Sequence, residues 1–170
     1  MSELIVLVDK DDKELGYIEK MKAHEKEGVL HRAFSIFIVN SNNEMLIQQR
    51  SELKPLWGLF WANSCCSHPR KEEKLSEAIH RRLQEELGFD CELKELFTFI
   101  YQANFNNKGS EHELDHIFLG KYDKEVNVNL DEVKDWKWIN ISELEEDVKK
   151  NPDKYTPWFK IALPRVIKAL

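Results

Sequence analysis

Glu73-Lys74-Leu75-Ser76-Glu77-Ala78-Ile79-His80-Arg81-Arg82-Leu83-Gln84-Glu85-Glu86-Leu87-Gly88-Phe89 is the stretch on which the fold turns. Leu75, Ile79, Leu83 and Leu87 recur every fourth residue with Ala78 beside them, which is the apolar stripe of an amphipathic helix. Gly88 stands where a left-handed C-terminal cap belongs. The remaining positions carry Glu73, Arg81, Arg82, Glu85 and Glu86. On their own these read as a solvated face with Arg81–Glu85 and Arg82–Glu86 pairs one turn apart.

Strand signals surround this helix. Leu4–Val8 and Leu15–Ile18 flank the turn-like Asp9-Lys10-Asp11-Asp12, and Arg32–Val39 and Glu44–Gln49 flank Asn40-Ser41-Asn42-Asn43. Each arrangement predicts a hairpin. Residues 51–55 read as a loop, and residues 57–67, rich in aromatic and small side chains, as strand and turn. Beyond the helix come two long strands, Leu93–Asn104 and Glu111–Tyr122, joined by Asn106-Asn107-Lys108-Gly109. Val133–Ile139 reads as a short strand, and Ile141–Lys150 and Trp158–Leu170 as helices, the latter beginning near Pro157. Strands dominate the first two-thirds with helices packed on them, so the expected class is α+β. No linker, repeat or biased tract interrupts the chain, so residues 1–170 are read as one domain.

Composition narrows the function classes. The 170 residues are 42% hydrophobic and 33% charged, with a formal net charge of −6. An acidic chain is a poor non-specific binder of polyanions, so no nucleic-acid partner is expected, although a small anion remains compatible with a local cluster of cations. The first residues show no basic segment, and their apolar run is too short for a signal peptide or membrane span. Cys65, Cys66 and Cys91 are odd in number with two adjacent, which does not form a disulfide framework. The expectation is a reducing, cytoplasmic compartment, no membrane association and a monomer.

Chemistry-bearing residues gather in pairs. His24 and His31 lie seven apart, His68 follows Cys66 by two, and Glu111 and Glu113 are two apart on a strand. Period two puts both carboxylates on one sheet face, and Cys66 with His68 on one side if that stretch is extended. Three imidazoles and two carboxylates are suitable donors for a divalent metal. Spacing alone does not separate these histidines from His80, His112 and His116. Cys65 and Cys66 can equally be small buried apolar residues before the turn at Pro69, and Trp57, Phe60 and Trp61 can be core.

The helix and the turn before it resemble the Nudix box. Glu73, Arg81, Leu83, Glu85, Glu86, Gly88 and Phe89 fall in register with it. Two positions depart: Ser67 replaces the opening glycine, and Arg82 replaces the glutamate that follows the arginine. In Nudix hydrolases that glutamate helps hold metal and organise the attacking water. A cation there argues against diphosphate hydrolysis and for phosphate binding.

The wider pattern resembles the type I isopentenyl-diphosphate isomerases. Asn63-Ser64-Cys65-Cys66-Ser67-His68-Pro69 is similar to their active-site cysteine motif, and Glu111-His112-Glu113-Leu114-Asp115 to their paired-glutamate motif. His24 with His31, and Thr156-Pro157-Trp158-Phe159, complete it. The resemblance runs from about Glu19 to the C-terminal helix. It implies a Nudix-type mixed sheet core flanked by helices. It implies that His24, His31, His68, Glu111 and Glu113 hold one divalent ion, Zn²⁺ or Mn²⁺. Cys66 and Glu113 become the acid/base residues, with Tyr101 nearby and Trp158 facing the allylic carbons. Lys20, Arg50, Lys54 and Arg82 would hold the diphosphate of an isoprenyl substrate, and Glu86 an Mg²⁺ ion that enters with it.

That assignment has a chemical logic. Protonating an unactivated double bond gives a tertiary carbocation, which an indole face stabilises without offering a lone pair to trap it. The diphosphate is a remote anchor for the small tail. Two other readings compete: a Nudix-fold diphosphate hydrolase, and a non-catalytic Nudix-fold binding module.

Overall fold

The computed structural model describes residues 2–170. Strands β1 (Leu4–Val8) and β2 (Glu14–Glu19) form the first hairpin, followed by a short helix α1 (Lys20–Ala23). Next come β3 (His31–Val39), β4 (Glu44–Arg50), β5 (Trp61–Ala62), β6 (Cys65–Ser67) and helix α2 (Leu75–Leu87). The chain continues through β7 (Leu93–Asn104), β8 (Ser110–Lys121), β9 (Val133–Asn140), α3 (Ile141–Lys150) and α4 (Pro157–Lys168), with a single 3₁₀ turn at Pro152–Lys154.

Among the described residues, all nine strands join one mixed sheet. β3 is its hub. It pairs antiparallel with β1, β4 and β6, and parallel with β8 along its whole length, from His31↔Glu113 to Val39↔Lys121. A strand buried on both faces must be apolar in both phases. Phe34, Ile36 and Ile38 accordingly pack with Ala78, Ile79, Leu83 and Leu87 of α2. Phe37 and Val39, in the other phase, pack with Leu144 of α3 and Trp158, Phe159 and Leu163 of α4. This is the α+β class that the residues predict, with the mixed sheet flanked by helices that the resemblance implies.

Several boundaries differ from the sequence reading. Helix α2 starts at Leu75 rather than Glu73, because the Glu73 carboxylate is used in the preceding turn. There it accepts from the Arg70 amide at 2.8 Å and grips Arg81 through Nε at 2.5 Å and Nη2 at 2.9 Å. Its C-terminus is as read: Gly88 adopts φ +72°, and a Cβ there would lie 2.4 Å from the Asn127 carbonyl oxygen. Residues 57–67 resolve into a turn and the two short strands β5 and β6. Helix α1 was not anticipated, since four residues are too few to show a helical period. Among the described residues, no helix is long and apolar enough to cross a membrane.

The start of β3, the start of β8, β6 and the end of α1 converge at one edge of this frame. Register does the rest. His31 lies opposite Glu113, Glu113 opposite Tyr101 on β7, and Cys66 opposite Ser35.

Candidate active site

The five expected ligands meet. His24 leaves the end of α1, His31 opens β3, His68 follows β6, and Glu111 and Glu113 share one face of β8; one ligand atom from each lies within 4.8 Å of all the others. His24 Nδ1 contacts the Lys20 carbonyl at 2.6 Å, and His31 Nδ1 the Val29 carbonyl at 2.7 Å. A carbonyl only accepts, so each Nδ1 carries a proton and the neutral ring keeps a bare lone pair on Nε2. Those lone pairs face carboxylate oxygens: His24 Nε2 is 2.9 Å from Glu111 Oε2, and His31 Nε2 is 3.5 Å from Glu113 Oε1. His31 Nε2 and Glu111 Oε2 are buried with no hydrogen-bond partner. A converging mixed nitrogen–oxygen set of this kind could hold a divalent metal. The backbone carbonyls that fix the two tautomers are the supporting contacts such a site needs. Burial drives His68 down to about 3 against the opposing pull of Glu113, so the His68 ring is neutral and able to ligate.

A cavity of about 230 Å³ opens beside the cluster. Cys66, Tyr101 and Trp158 form part of its wall together with His24, His68, Glu111 and Glu113. Tyr101 donates to Glu113 Oε2 at 2.6 Å, and His68 Nε2 contacts Glu113 Oε1 at 2.8 Å. Both oxygens of Glu113 are therefore oriented. Burial pushes the Cys66 thiol up to about 12, although Arg50 pulls the other way. Burial, reinforced by Glu113, raises the Tyr101 phenol well above its usual range. At neutral pH both are proton carriers. The Trp158 ring lies 6.1 Å from that of Tyr101, and its Nε1 donates to Asn63 Oδ1 at 3.2 Å. Cys65 faces the other way, fully buried in the α2 core. Alternation along β6 thus separates the two cysteines as the sequence suggested.

The basic end of the cavity contains Lys20, Arg50, Lys54 and Arg82. Arg50 spends its donors internally, Nε on the Trp57 carbonyl and Nη2 on the Leu56 carbonyl, both at 3.1 Å, and lies 5.2 Å over the Trp158 ring. Lys54 and Arg82 both reach Glu132. Arg82 also pairs with Glu85 at 2.8 Å and with Glu86. Arg81–Glu85 and Arg82–Glu86, the pairs expected of a solvated helix face, both form. Glu86 is buried behind the cavity wall, with Gln48 Nε2 2.9 Å from its Oε2. His80, His112 and His116 stand apart from the cluster. His80 pairs with Asp90, His112 contacts the Gly28 carbonyl, and His116 bridges Glu95 and Asp12.

A family model described as the NUDIX domain matches residues 29–159. An isopentenyl-diphosphate Delta-isomerase 2 of Aromatoleum aromaticum is 45% identical over 167 residues, covering 98% of this chain and 88% of its own length. Another of the same name from Photorhabdus laumondii is 49% identical over 160 residues, covering 94% of this chain and 90% of its own. The chain belongs to the type I isopentenyl-diphosphate Δ-isomerases of the Nudix superfamily. Solved structures agree on the fold. A Deinococcus radiodurans protein superposes with a TM-score of 0.79 at 19% identity, over 96% of this chain and 98% of that one. A MutT NUDIX hydrolase from Burkholderia pseudomallei gives 0.63 at 21% identity, over 81% and 98%.

Sequence reasoning missed parts of this isomerase-family site. Ser35 Oγ donates at 2.8 Å to Asp115, which is fully buried directly below Glu113 on the same face of β8. Period two along β8 was the available signal for Asp115. Asn63 stands in the quoted cysteine motif, but its bond to Trp158 is not legible there, and Gln48, which contacts Glu86, carries no signal, because both pairings are long-range. Lys108 was read only as part of a turn, yet it lines the cavity.

Proposed function

We propose that this chain converts isopentenyl diphosphate to dimethylallyl diphosphate, in isoprenoid biosynthesis, by adding a proton to one end of the double bond and removing another from the adjacent methylene. Curated relatives named for that activity support the reading. The observation that carries it is the placement of two oriented proton carriers, Cys66 and the Glu113–Tyr101 pair, on one small cavity with an indole and without the hydrolase glutamate.

A proton delivered to the terminal carbon leaves a tertiary cation, and loss of a proton from the methylene completes the shift with no net change in atoms or charge. Cys66 and Glu113 take the two proton-transfer roles, with Tyr101 holding Glu113. Trp158 presents a face that attracts the cation and cannot add to it. Arg50 lies against both Cys66 Sγ, at 3.6 Å from Nη1, and the Trp158 ring. Lys20, Arg50, Lys54 and Arg82 hold the diphosphate, the remote charge that positions the tail.

His24, His31, His68, Glu111 and Glu113 hold one divalent ion, Zn²⁺ or Mn²⁺ by the donor types, and Glu86 a ligand for Mg²⁺ brought in by the substrate. When bound, the resident ion neutralises the two carboxylates and lowers the proton affinity of groups around them. Residues 1–170 act as one domain and as a monomer. Three free cysteines suit a reducing cytoplasm.

The test is incubation with isopentenyl diphosphate and Mg²⁺. Dimethylallyl diphosphate is the expected product. Inorganic phosphate in its place identifies a hydrolase, and no product identifies a binding module.

A further inference from the structure

We propose that Lys108, at the tip of the β7–β8 hairpin, is a fifth cation of the diphosphate site, held over the cavity mouth by contacts that bind this hairpin to the segment between two metal ligands. The proposal rests on the isomerase reading and adds a residue to its substrate site.

Commitment of charge singles Lys108 out. Five cations line the cavity: Lys20, Arg50, Lys54, Arg82 and Lys108. Lys54 and Arg82 are engaged by Glu132, Arg82 by Glu85 and Glu86 as well, and Lys20 lies 3.9 Å from Glu3. Arg50 is tied to backbone carbonyls. Among the described residues Lys108 alone of the five has neither a carboxylate partner nor a carbonyl on its side chain. Its ammonium lies 5.9 Å over the Phe105 ring, a contact that orients it without neutralising it. A diphosphate entering this cavity meets four partly compensated cations and one uncompensated one.

Placement is equally specific. A lysine on a loose loop would contribute little, because ordering its side chain would offset the gain. This turn is fastened at both ends. Within it, Lys108 N donates to the Phe105 carbonyl and Phe105 N to the Gly109 carbonyl, both at 2.8 Å. Outside it, the segment between His24 and His31 accepts a row of donors from the hairpin. Ser110 N reaches the His24 carbonyl at 2.9 Å, Ser110 Oγ the Lys26 carbonyl at 2.6 Å, and Gln102 Nε2 the Glu27 carbonyl at 2.6 Å. Gly109 has φ +151°, and a Cβ there would come within 2.6 Å of the His24 carbonyl oxygen. The backbone next to Lys108 is thus pressed against a metal ligand.

The diphosphate keeps its charge throughout the reaction, so Lys108 binds ground and transition states alike. It should govern KM and leave kcat alone. The experiment compares the intact protein with Lys108→Met, Lys108→Arg and Lys94→Met. Lys94 is an exposed lysine on β7 away from the cavity and controls for overall charge. Turnover of isopentenyl diphosphate and calorimetric binding of inorganic diphosphate are both measured, at low and high salt, with bound metal checked by elemental analysis. Lys108→Met is expected to raise KM and weaken diphosphate binding by about fivefold at low salt, less at high salt, with kcat and metal content unchanged. Lys108→Arg should recover most of the loss and Lys94→Met should show none. Equal affinities for Lys108→Met and the unsubstituted protein, or equal losses for the Lys108 and Lys94 variants, overturn the proposal while normal turnover leaves the isomerase reading intact. Lys108-dependent diphosphate binding without dimethylallyl diphosphate production supports the cation site and removes the isomerase reading.

Discussion

Tyr101 and Glu113 are directly paired across β7 and β8, and the Tyr101 phenol donates to Glu113 Oε2 at 2.6 Å. The register of two long strands therefore sets the geometry of the carboxylate proposed to transfer a proton. Removing the phenol leaves the carboxylate with His68 and His31 on its other oxygen and nothing on Oε2. Tyr101→Phe is expected to lower kcat on the order of tenfold to a hundredfold, up to the lower bound for a full acid–base group because Tyr101 orients Glu113, and to leave KM nearly unchanged. Steady-state kinetics decide it: a raised KM with normal kcat would move Tyr101 from the chemistry to substrate binding.

The cluster of three histidines and two glutamates yields a prediction that needs no turnover. His31 is fully buried, with its Nδ1 fixed by Val29 and its Nε2 unpartnered. The intact protein should retain about one divalent ion through purification, as a converging mixed donor set implies. His31→Ala should lose it. Because a ligand that binds only the folded state stabilises it, chelation should lower the Tm of the intact protein and barely move that of His31→Ala. Equal metal content in the two proteins would overturn the ligand assignment.

Much of this arrangement was legible in the residues, and what was not has physical causes. The α2 stripe, the Gly88 cap and the paired glutamates all obey local periods, so their faces could be read directly. Glu73 was misplaced into the helix because its bond to Arg81 is a side-chain matter that helix period does not encode. The cluster of three histidines depended on resemblance. Nothing local distinguishes His31 from His116, and only the parallel pairing of β3 with β8 brings His31 to Glu113. Ser35 and Gln48, and the partner of Asn63, were invisible for the same reason: each acts on a residue supplied by another part of the sheet or by a helix.

Adjacent cysteines provide a paired test of the strand register. Cys66 borders the cavity, its Sγ 3.6 Å from Arg50 Nη1, whereas Cys65 is buried against α2. Cys66→Ala should abolish isomerisation while the fold and the bound metal persist. Cys65→Ala should keep most of the activity and lose about 1 kcal/mol of stability through a small core cavity. Turnover, thermal melts and metal content of both variants separate chemistry from packing. Activity lost in Cys65→Ala and kept in Cys66→Ala would reverse the roles.

Glu132 links stability to pH at the basic end. Burial alone would raise its pKa, but the Lys54 and Arg82 cations outweigh that and hold it at about 2, below the usual 4.5. A carboxyl whose folded pKa is depressed contributes stability that is complete above the unfolded value and is lost as pH falls through the folded one. The window here runs from about 4.5 down to about 2. With the side chain 25% exposed, screening reduces the contribution to about 2 kcal/mol at neutral pH. Glu132→Gln should be less stable by roughly this amount at pH 7 and should lose less stability than the parent on acidification through that window. Denaturant midpoints of the two proteins, measured side by side from neutral pH downward, isolate Glu132 from the other titrating groups. If Lys54 and Arg82 hold the diphosphate as proposed, the same substitution removes a competing anion, so KM should fall. A parallel pH dependence in the two proteins would show that the ion pair contributes nothing to folding, and a raised KM would show that Glu132 positions the cations more than it occupies them.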